Sequence, residues 1–293
     1  MYRRISIAVM ALAIGLAACS EPTTAVAQPP AVSPTTAVPQ RIVSLSATHT
    51  EILYAIGAED QVIATDLTAN YPPAAADTTK VDAFNFNIEE VVALDPDLVV
   101  LAFDFSGEVE ALATAGINSL LLPPPVDLAG ALEQIAELGA AVGRLDAALN
   151  LSGGLKQDIG NLISSAPVPD PPATFFHEID ATLFSANSAT FLGNIFAQFG
   201  LINIADEVPD EFGSGFVQLS QEFILASDPD LIFLGDAAFG ESADTIGMRP
   251  GWNSLSAVRL GNIFELDADI SGRWGPRTLQ LVTEIAAALD SSQ

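Results

Sequence analysis

Residues 87–103 read NIEEVVALDPDLVVLAF, and the rest of the chain can be arranged around this segment. Asn87 is a possible N-cap that opens a short helix, and Asp-Pro-Asp ends the helix. Proline has no N–H to donate and disfavours the α conformation in the residue before it, so Asp95 is expected at the helix end. Residues 98–102 have no polar face, which is typical of a parallel strand covered on both sides. The stretch therefore predicts a helix followed by a buried strand.

Residues 220–236, SQEFILASDPDLIFLGD, closely repeat this segment. Ser220 stands at the possible cap, Asp228 precedes the proline, and residues 231–234 form the apolar segment. The copies lie far apart in the chain, so they predict two similar halves and not a solenoid.

Strands and helices alternate around both copies, a pattern that indicates parallel βαβ units. In the first half, strands are predicted over residues 42–45, 62–65 and 119–122, and helices over 50–56 and 108–115. In the second half, strands are predicted over residues 174–178, 202–205 and 263–266, and helices over 191–199 and 276–289. Between the halves, helices are predicted over residues 128–142 and 145–165. The predicted fold is α/β, with two similar lobes built on central, mainly parallel sheets and joined by one long interlobe helix.

These patterns divide the chain into five segments. They are a signal peptide (1–18), a lipidated cysteine with a Pro-rich tether (19–40), an N-terminal lobe (41–143), an interlobe helix (144–170) and a C-terminal lobe (171–293).

The first residues have the features of a targeting segment. Arg3 and Arg4 precede an apolar run, residues 5–16, that is too short to span a bilayer. Leu16-Ala17-Ala18-Cys19 resembles the lipobox of bacterial lipoproteins, which implies a lipid on Cys19. The alternative is an ordinary secretory signal with an incidental cysteine. Either way the protein is expected to be exported, and with the lipid it is anchored to the cell membrane, in a periplasm or on the outer cell surface.

The charge balance excludes one class of partner. The chain carries 37 acidic and 10 basic residues, for a formal charge of −27 at pH 7. That charge repels nucleic acid and anionic membrane surfaces, and it favours solubility in a salty medium. We therefore expect no nucleic-acid partner.

Enzyme signatures are largely absent from the sequence. It contains no phosphate-binding G-x-x-x-x-G-K-[ST] and no G-x-S-x-G nucleophile elbow. His49 and His177 lie near the ends of the first strand of each half, where α/β sheets bind ligands. Two histidines are few for a zinc site, so hydrogen-bonded loop histidines are the favoured interpretation. No metal site, cofactor or catalytic residue is predicted.

Aromatic side chains gather where strands end, and they predict the walls of a pocket for a bulky, ring-containing ligand. Asp269 and Arg273 flank a turn beside Trp274 and are candidate polar contacts. The predicted ligand-binding residues are Tyr71, Phe84, Phe86, Phe103, Phe105, Phe212, Trp252, Asp269, Arg273 and Trp274.

Five short motifs resemble the iron-siderophore/vitamin B12 family of periplasmic binding proteins. They are RIVSLS (41–46), HTEIL (49–53), YPP (71–73), NIE with LDPDL (87–98) and RWGPR (273–277). The resemblance implies two α/β lobes with little hinge bending, a metal chelate bound between them, no catalysis, and delivery by a monomer to the permease dimer of an ABC importer. It also implies that Glu89 and Glu222 dock on that permease.

Within the family, the chain looks most like cobalamin binders, because Tyr71-Pro72-Pro73, Asp269 and Arg273 occupy corrinoid-contacting positions there. Phe84 and Phe103 stand near the places where those proteins have tryptophans, so a ferric siderophore remains an alternative ligand. A receptor for haem or a metal ion is an alternative, with Tyr71, His49 and His177 as possible axial ligands. Two further alternatives are a cleft enzyme that uses His49, Glu51 and His177, and a tethered receptor that senses without importing.

Overall fold

The computed structural model describes residues 37–292. The predicted signal peptide, Cys19 and most of the predicted tether lie outside these residues. The strands are β1 Ile42–Leu45, β2 Val62–Asp66, β3 Thr79–Val81, β4 Leu98–Leu101, β5 Asn118–Leu121, β6 Thr174–Glu178, β7 Phe184–Ala186, β8 Ile202–Asn203, β9 Phe216–Gln218, β10 Leu231–Leu234 and β11 Ile263–Glu265. The helices are α1 Ala47–Ala55, α2 Pro73–Ala76, α3 Ile88–Ala93, α4 Glu108–Thr114, α5 Leu128–Ala141, α6 Leu145–Ser165, α7 Phe191–Ala197, α8 Gln221–Ser227, α9 Ala243–Met248, α10 Ser256–Leu260, α11 Ala268–Ser271 and α12 Thr278–Ser291.

Two parallel sheets organise the protein, one in each half of the chain. The first has the strand order β3-β2-β1-β4-β5, and the second has the order β11-β10-β6-β8. All neighbouring strands in both sheets pair in parallel. The prediction of an α/β fold with two mainly parallel lobes is confirmed.

The sequence repeat is also a structural repeat. Its two strands, β4 and β10, each pair with the first strand of their lobe, β1 and β6. Every residue of β4 and β10 is buried, in agreement with the absence of a polar face.

The Asp-Pro-Asp tripeptides have the same structural role in both lobes. Asp95 and Asp228 follow the helix with positive φ angles of 49° and 44°, outside the right-handed α region that the next proline disfavours; aspartate is one of the few non-glycine residues that adopt this left-handed conformation readily. The last aspartate of each tripeptide then holds the neighbouring strand. Asp97 accepts the backbone N–H of Arg41 at 3.0 Å, and Asp230 accepts that of Thr174 at 2.8 Å. The repeat therefore places helix, turn and central strand alike in both lobes.

One hydrophobic core runs through both halves. It includes Ile42 and Leu98 from the first sheet, Phe175 and Phe233 from the second, and Ile159 from α6. Helix α6 packs against α5 and α12, and the predicted bounds of this longest helix are confirmed. In the described part of the chain, no helix is both long enough and apolar enough to cross a membrane.

Several short elements are missing from the sequence prediction. The largest is a separate antiparallel pair, β7 with β9, which brings residues 184–186 against residues 216–218. Strand β9 has only three residues, and two of them are exposed, so no apolar run marks it. Helices α2 and α9–α11 are similarly short, with at most six residues each.

Candidate ligand-binding cleft

An apolar cavity lies where strands of both lobes end. Its volume is about 600 Å³. His177 from the end of β6 and Gly235 from the residue after β10 contribute to its wall, while Phe103 and Pro124 come from the first lobe. Carboxyl ends of parallel strands are where α/β proteins bind ligands. The cavity is thus a cleft between lobes, in the position that the fold favours for a site.

A second cavity, of about 200 Å³, adjoins the first on the N-terminal lobe side. Phe103, Gly272 and Trp274 line both cavities, so the two form one continuous cleft. The smaller cavity is more polar in its lining, with Asp66 at the end of β2 and Glu108 at the start of α4.

Three phenylalanines form a stacked aromatic wall in the smaller cavity. The rings of Phe103 and Phe105 lie 4.8 Å apart at an interplanar angle of 12°, and Phe84 stacks on Phe105 at 6.5 Å. Phe84 is 70% exposed and Phe105 is 66% exposed. Apolar rings left facing an opening, and stacked parallel to one another, are suited to contact a flat ligand.

Trp274 is held rigidly at the junction of the two cavities. Its indole N–H donates to the Gln134 side chain of α5 at 2.9 Å, and its ring meets His49 edge-on at 6.1 Å. Trp274 is buried to 8% exposure and belongs to the shared core. A ligand in the cleft would therefore contact an indole whose orientation is already fixed.

A buried ion network joins the lobes beside the cleft. Arg273 donates to Glu51 Oε1 at 2.7 Å and to Asp269 Oδ1 at 2.7 Å, and it also donates to Asn70 and to the carbonyl of Thr68. Glu51 comes from α1 of the N-terminal lobe, and it is 1% exposed. Arg273 thus ties the C-terminal lobe to the N-terminal lobe.

Arg277 contributes a second cation to the same carboxylate. It donates to Glu51 Oε1 at 2.6 Å and to Oε2 at 3.0 Å, and its guanidinium lies 4.6 Å from the centre of the Tyr71 ring. Both oxygens of Glu51 are therefore engaged by arginines of the other lobe.

Five of the ten predicted ligand-binding residues line the cleft: Phe84, Phe103, Phe105, Arg273 and Trp274. Two others lie in neither lining: Trp252 is buried in a lobe core, where the prediction had placed it in the cleft, and Phe86 is partly buried against another core. Trp252 is 1% exposed and packs in the core of the C-terminal lobe under the guanidinium of Arg249. Phe86 packs against the core of the N-terminal lobe. Both are aromatic and close to strand or helix ends, so sequence alone did not separate them from wall residues.

The remaining three lie near the cleft but in neither wall. Tyr71 is stacked beneath Arg277, and Asp269 accepts from Arg273 and from Asn70. Phe212 is 91% exposed and lies outside both linings, although Gly213 and Ser214 contribute to the larger cavity.

The walls of the larger cavity contain apolar residues that the prediction did not include. They are Pro124, Pro125, Val126, Phe191 and Phe239. The three-proline run that follows β5 was a usable signal, because loops at that end of a parallel strand face the site. Asp66 was a second usable signal, since it directly follows the predicted strand at residues 62–65.

The two histidines are not loop residues, so that interpretation is wrong. His49 belongs to α1 and His177 to β6, and both are buried. Within the described residues, no hydrogen bond of ordinary geometry reaches a ring nitrogen of either, although the Gln134 side chain lies close enough to affect His49. Burial lowers the pKa of each histidine to about 4, with the Gln134 side chain opposing the shift at His49. Both imidazoles are therefore neutral at pH 7.

A second buried ion cluster lies behind His177. Arg249 meets both oxygens of Glu178, at 2.5 and 2.7 Å, and it also contacts Glu241 at 2.9 Å. Burial raises the pKa of Glu178 to about 7, against the opposing effect of Arg249. Burial likewise raises the pKa of Asp236, and neither of its carboxylate oxygens has a partner in the described chain.

Among residues 37–292, no group of three or more His, Cys, Asp or Glu side chains could hold a metal ion.

Glu89 and Glu222 occupy matching positions, each the second residue of its helix, and both are exposed. The Asn87 side chain accepts the N–H of Glu89 at 3.0 Å, and Ser220 accepts that of Phe223 at 3.1 Å. Both helices immediately precede a central parallel strand. Their N-termini therefore lie toward the carboxyl edge of each sheet, where the cleft is.

Comparisons with known proteins agree with this architecture. The periplasmic binding protein family matches residues 42–270. The uncharacterised ABC transporter substrate-binding lipoprotein YvrC of Bacillus subtilis is 30% identical over 260 residues, which cover 86% of this chain and 80% of that protein.

Two solved structures extend the comparison. The periplasmic vitamin B12 binding protein BtuF of Vibrio cholerae is 26% identical, with a TM-score of 0.73 over 87% of this chain and 98% of that chain. The periplasmic heme-binding protein RhuT from Roseiflexus is 25% identical, with a TM-score of 0.76 over 87% of this chain and 99% of that chain. The chain therefore belongs to the periplasmic binding protein family, in the iron-siderophore and vitamin B12 class of ABC-importer substrate-binding proteins.

Proposed function

We propose that this protein is an extracytoplasmic, monomeric substrate-binding lipoprotein that captures a metal chelate, a corrinoid or a ferric siderophore, and delivers it to an ABC importer. The observation that carries the proposal is the aromatic cleft between the lobes. Its larger cavity of about 600 Å³ is mainly apolar, and the smaller one adds stacked phenylalanine rings. Ligand sites of this kind are concave and apolar with a few placed polar groups.

The relatives support the chelate class. BtuF of Vibrio cholerae is named as a vitamin B12 binding protein, and proteins 25% identical in Halobacterium salinarum are named as cobalamin-binding. The test is isothermal titration of the purified protein with cyanocobalamin and with a ferric hydroxamate. The proposal expects one-to-one binding of at least one of them, and Phe103→Ala should weaken it about 10-fold or more, because an aromatic wall is lost. If neither chelate binds, the proposed ligand class is wrong.

A haem receptor of the same fold is the second candidate, and His177 favours it. The side chain lines the larger cavity, is neutral at pH 7, and has two ring nitrogens without a partner in the described chain. Neutral imidazole is a common ligand of haem iron. A shifted Soret band on adding haemin, lost in His177→Ala, would support this candidate.

We assign the cleft to binding without turnover. The sequence-based enzyme alternative needs a free carboxylate at Glu51, but both of its oxygens accept from Arg273 and Arg277. His49 lies buried behind Trp274, with no described partner to activate it. The geometry supports a structural role for these two residues.

Glu89 and Glu222 are proposed to dock on the two subunits of the permease. One exposed carboxylate on each lobe, at the same position of a repeated helix, fits a partner with two similar halves. A carboxylate in the first turn also stabilises its own helix by about 0.3–1 kcal/mol, so a helix effect alone is the competing explanation.

Cys19 is proposed to carry the lipid anchor, and the lipoprotein name of YvrC supports this. Cys19→Ser should release the protein from membranes. A protein that stays membrane-bound after this change and a high-salt wash would contradict lipidation.

A further inference from the structure

The cleft has a charge pattern that restricts its ligand. The chain has 10 lysines and arginines, and Arg3 and Arg4 lie outside the described residues. The remaining cations can be followed individually. Arg41, Arg144, Lys156 and Arg259 lie in neither cavity wall.

Arg273 lines the smaller cavity, and it is already matched by acceptors. Its guanidinium donates to two carboxylates, Glu51 and Asp269, and to the oxygens of Asn70 and Thr68. Because Arg277 also donates to Glu51, the two carboxylates balance the charges of the two arginines before a ligand arrives.

The other cations closest to the cleft are engaged in the same way. Arg277 donates to both oxygens of Glu51, and Arg249 donates to both oxygens of Glu178. Lys80 differs, because it donates to a hydroxyl and two carbonyl oxygens of the N-terminal lobe, at 2.5 to 3.0 Å, and interacts with the charge of Asp66 without a direct hydrogen bond; it lines neither cavity. Within residues 37–292, the cleft thus offers no unpaired cation to an anionic ligand.

The smaller cavity offers an unsatisfied acceptor instead. Asp66 is 3% exposed and lines this cavity. Its Oδ1 accepts the N–H of Thr68 at 2.8 Å and the Thr68 hydroxyl, while its Oδ2 has no partner in the described chain. Glu108, which is 4% exposed, lines the same cavity. A buried carboxylate oxygen without a donor is costly, so a ligand that brings an N–H would be stabilised there.

We propose that the smaller cavity is a subsite for an N–H donor of the bound chelate, accepted by Asp66 Oδ2, and that the cleft selects against chelates with net negative charge. The donor is a carboxamide or an ammonium group. The exposed rings of Phe84 and Phe105 lie in the same wall, where an amide can stack and an ammonium can make a cation–π contact. An anion placed here would be desolvated beside two carboxylates with no free cation to receive it.

This inference rests on the proposed function, and a panel of four chelates separates the two. The panel is neutral cyanocobalamin with its peripheral carboxamides, ferrioxamine B with its pendant ammonium, trianionic ferric enterobactin, and haemin with its two propionates. The dissociation constant of at least one of the first two should be about 100-fold lower than that of either anion, the effect of one unpaired buried charge. Tight binding of ferric enterobactin or haemin would contradict selection against anionic chelates, but it would remain consistent with a chelate receptor. Binding of none of the four would overturn both proposals.

Asp66→Asn tests the subsite, and the chain supplies a matched control. Asp180 makes the same local turn, accepting the N–H of Thr182 at 2.8 Å and its hydroxyl, but it lines neither cavity. Asp66→Asn puts either an amide donor or a neutral oxygen where the ligand donor points. It should weaken the preferred chelate by about 10- to 100-fold, the range for a hydrogen bond to a charged group.

Asp180→Asn should leave the dissociation constant unchanged. Equal binding by Asp66→Asn and wild type would overturn the subsite. If Asp66→Asn does not fold, Glu108→Gln in the same wall replaces it, with the same expected direction, and unchanged affinity there would also overturn the subsite.

Discussion

Glu51→Gln should destabilise the protein more than any other isosteric change near the cleft. The substitution keeps the volume of the side chain, so it creates no cavity, but it removes the one carboxylate within residues 37–292 that Arg277 contacts at hydrogen-bond distance. Arg273 keeps Asp269, whereas Arg277 keeps the Tyr71 ring and the more distant charges of Asp269 and Asp267. Breaking a buried pair by removing one partner typically costs 3–5 kcal/mol.

We expect a loss near the lower limit, about 3 kcal/mol, because Arg273 retains a carboxylate and the Arg277 side chain still reaches solvent at 13% exposure. For a chain of this size, that corresponds to a fall of about 6–12 °C in Tm. Equilibrium unfolding in urea, followed by tryptophan fluorescence, measures the loss. The control is Glu89→Gln at an exposed position, which should change the free energy of unfolding by less than about 0.5 kcal/mol. A loss below about 1 kcal/mol for Glu51→Gln would refute the assignment of Glu51 as the tie between the lobes.

Three further outcomes follow from the same contacts. Trp274→Phe should remove most of the fluorescence change on chelate binding, because Trp274 lines both cavities. Trp252→Phe should keep most of that change, because Trp252 is a core residue. The reverse result would place the binding site in the C-terminal lobe. Between pH 6.5 and about pH 4, His177 is mostly protonated in the unfolded chain but neutral in the folded protein. This histidine should therefore lower the free energy of unfolding by about 1.4 kcal/mol for each pH unit below 6.5, down to its folded pKa of about 4. His177→Phe should remove this term, and a difference from wild type that stays constant between pH 7 and pH 5 would contradict it. Glu89→Arg combined with Glu222→Arg should leave folding and chelate binding intact but abolish uptake and stimulation of the importer's ATPase, whereas normal transport by the double variant would leave only the helix effect.

The sequence predicted the fold well where local chemistry and burial agree. In the repeat, proline's restriction of the preceding aspartate and the unbroken apolar strand both predict a helix end followed by a buried strand. Asp95 and Asp228 lie at the helix ends as expected, although their positive φ was not predicted. Helix α6 was predicted to its exact ends, since a long periodic segment without proline carries a strong signal.

Only about half of the predicted ligand-binding residues line the candidate site. Phe103 and Trp252 are both aromatic residues near the end of an element, yet one lines the cleft and the other is 1% exposed. The difference arises from packing between segments that are distant in sequence, which a local pattern does not contain. Arg273 shows the same limit, because its partner Glu51 lies 222 residues away in the other lobe.

Native mass spectrometry of the protein purified from its own cells, without refolding, identifies the bound ligand by its mass. We expect a one-to-one complex whose added mass matches a corrinoid or a ferric chelate, and which is depleted in the Phe103→Ala variant. A bound species that contains no metal chelate, or a chelate that remains bound at full occupancy when both Phe103 and Trp274 are replaced by alanine, would contradict this expectation.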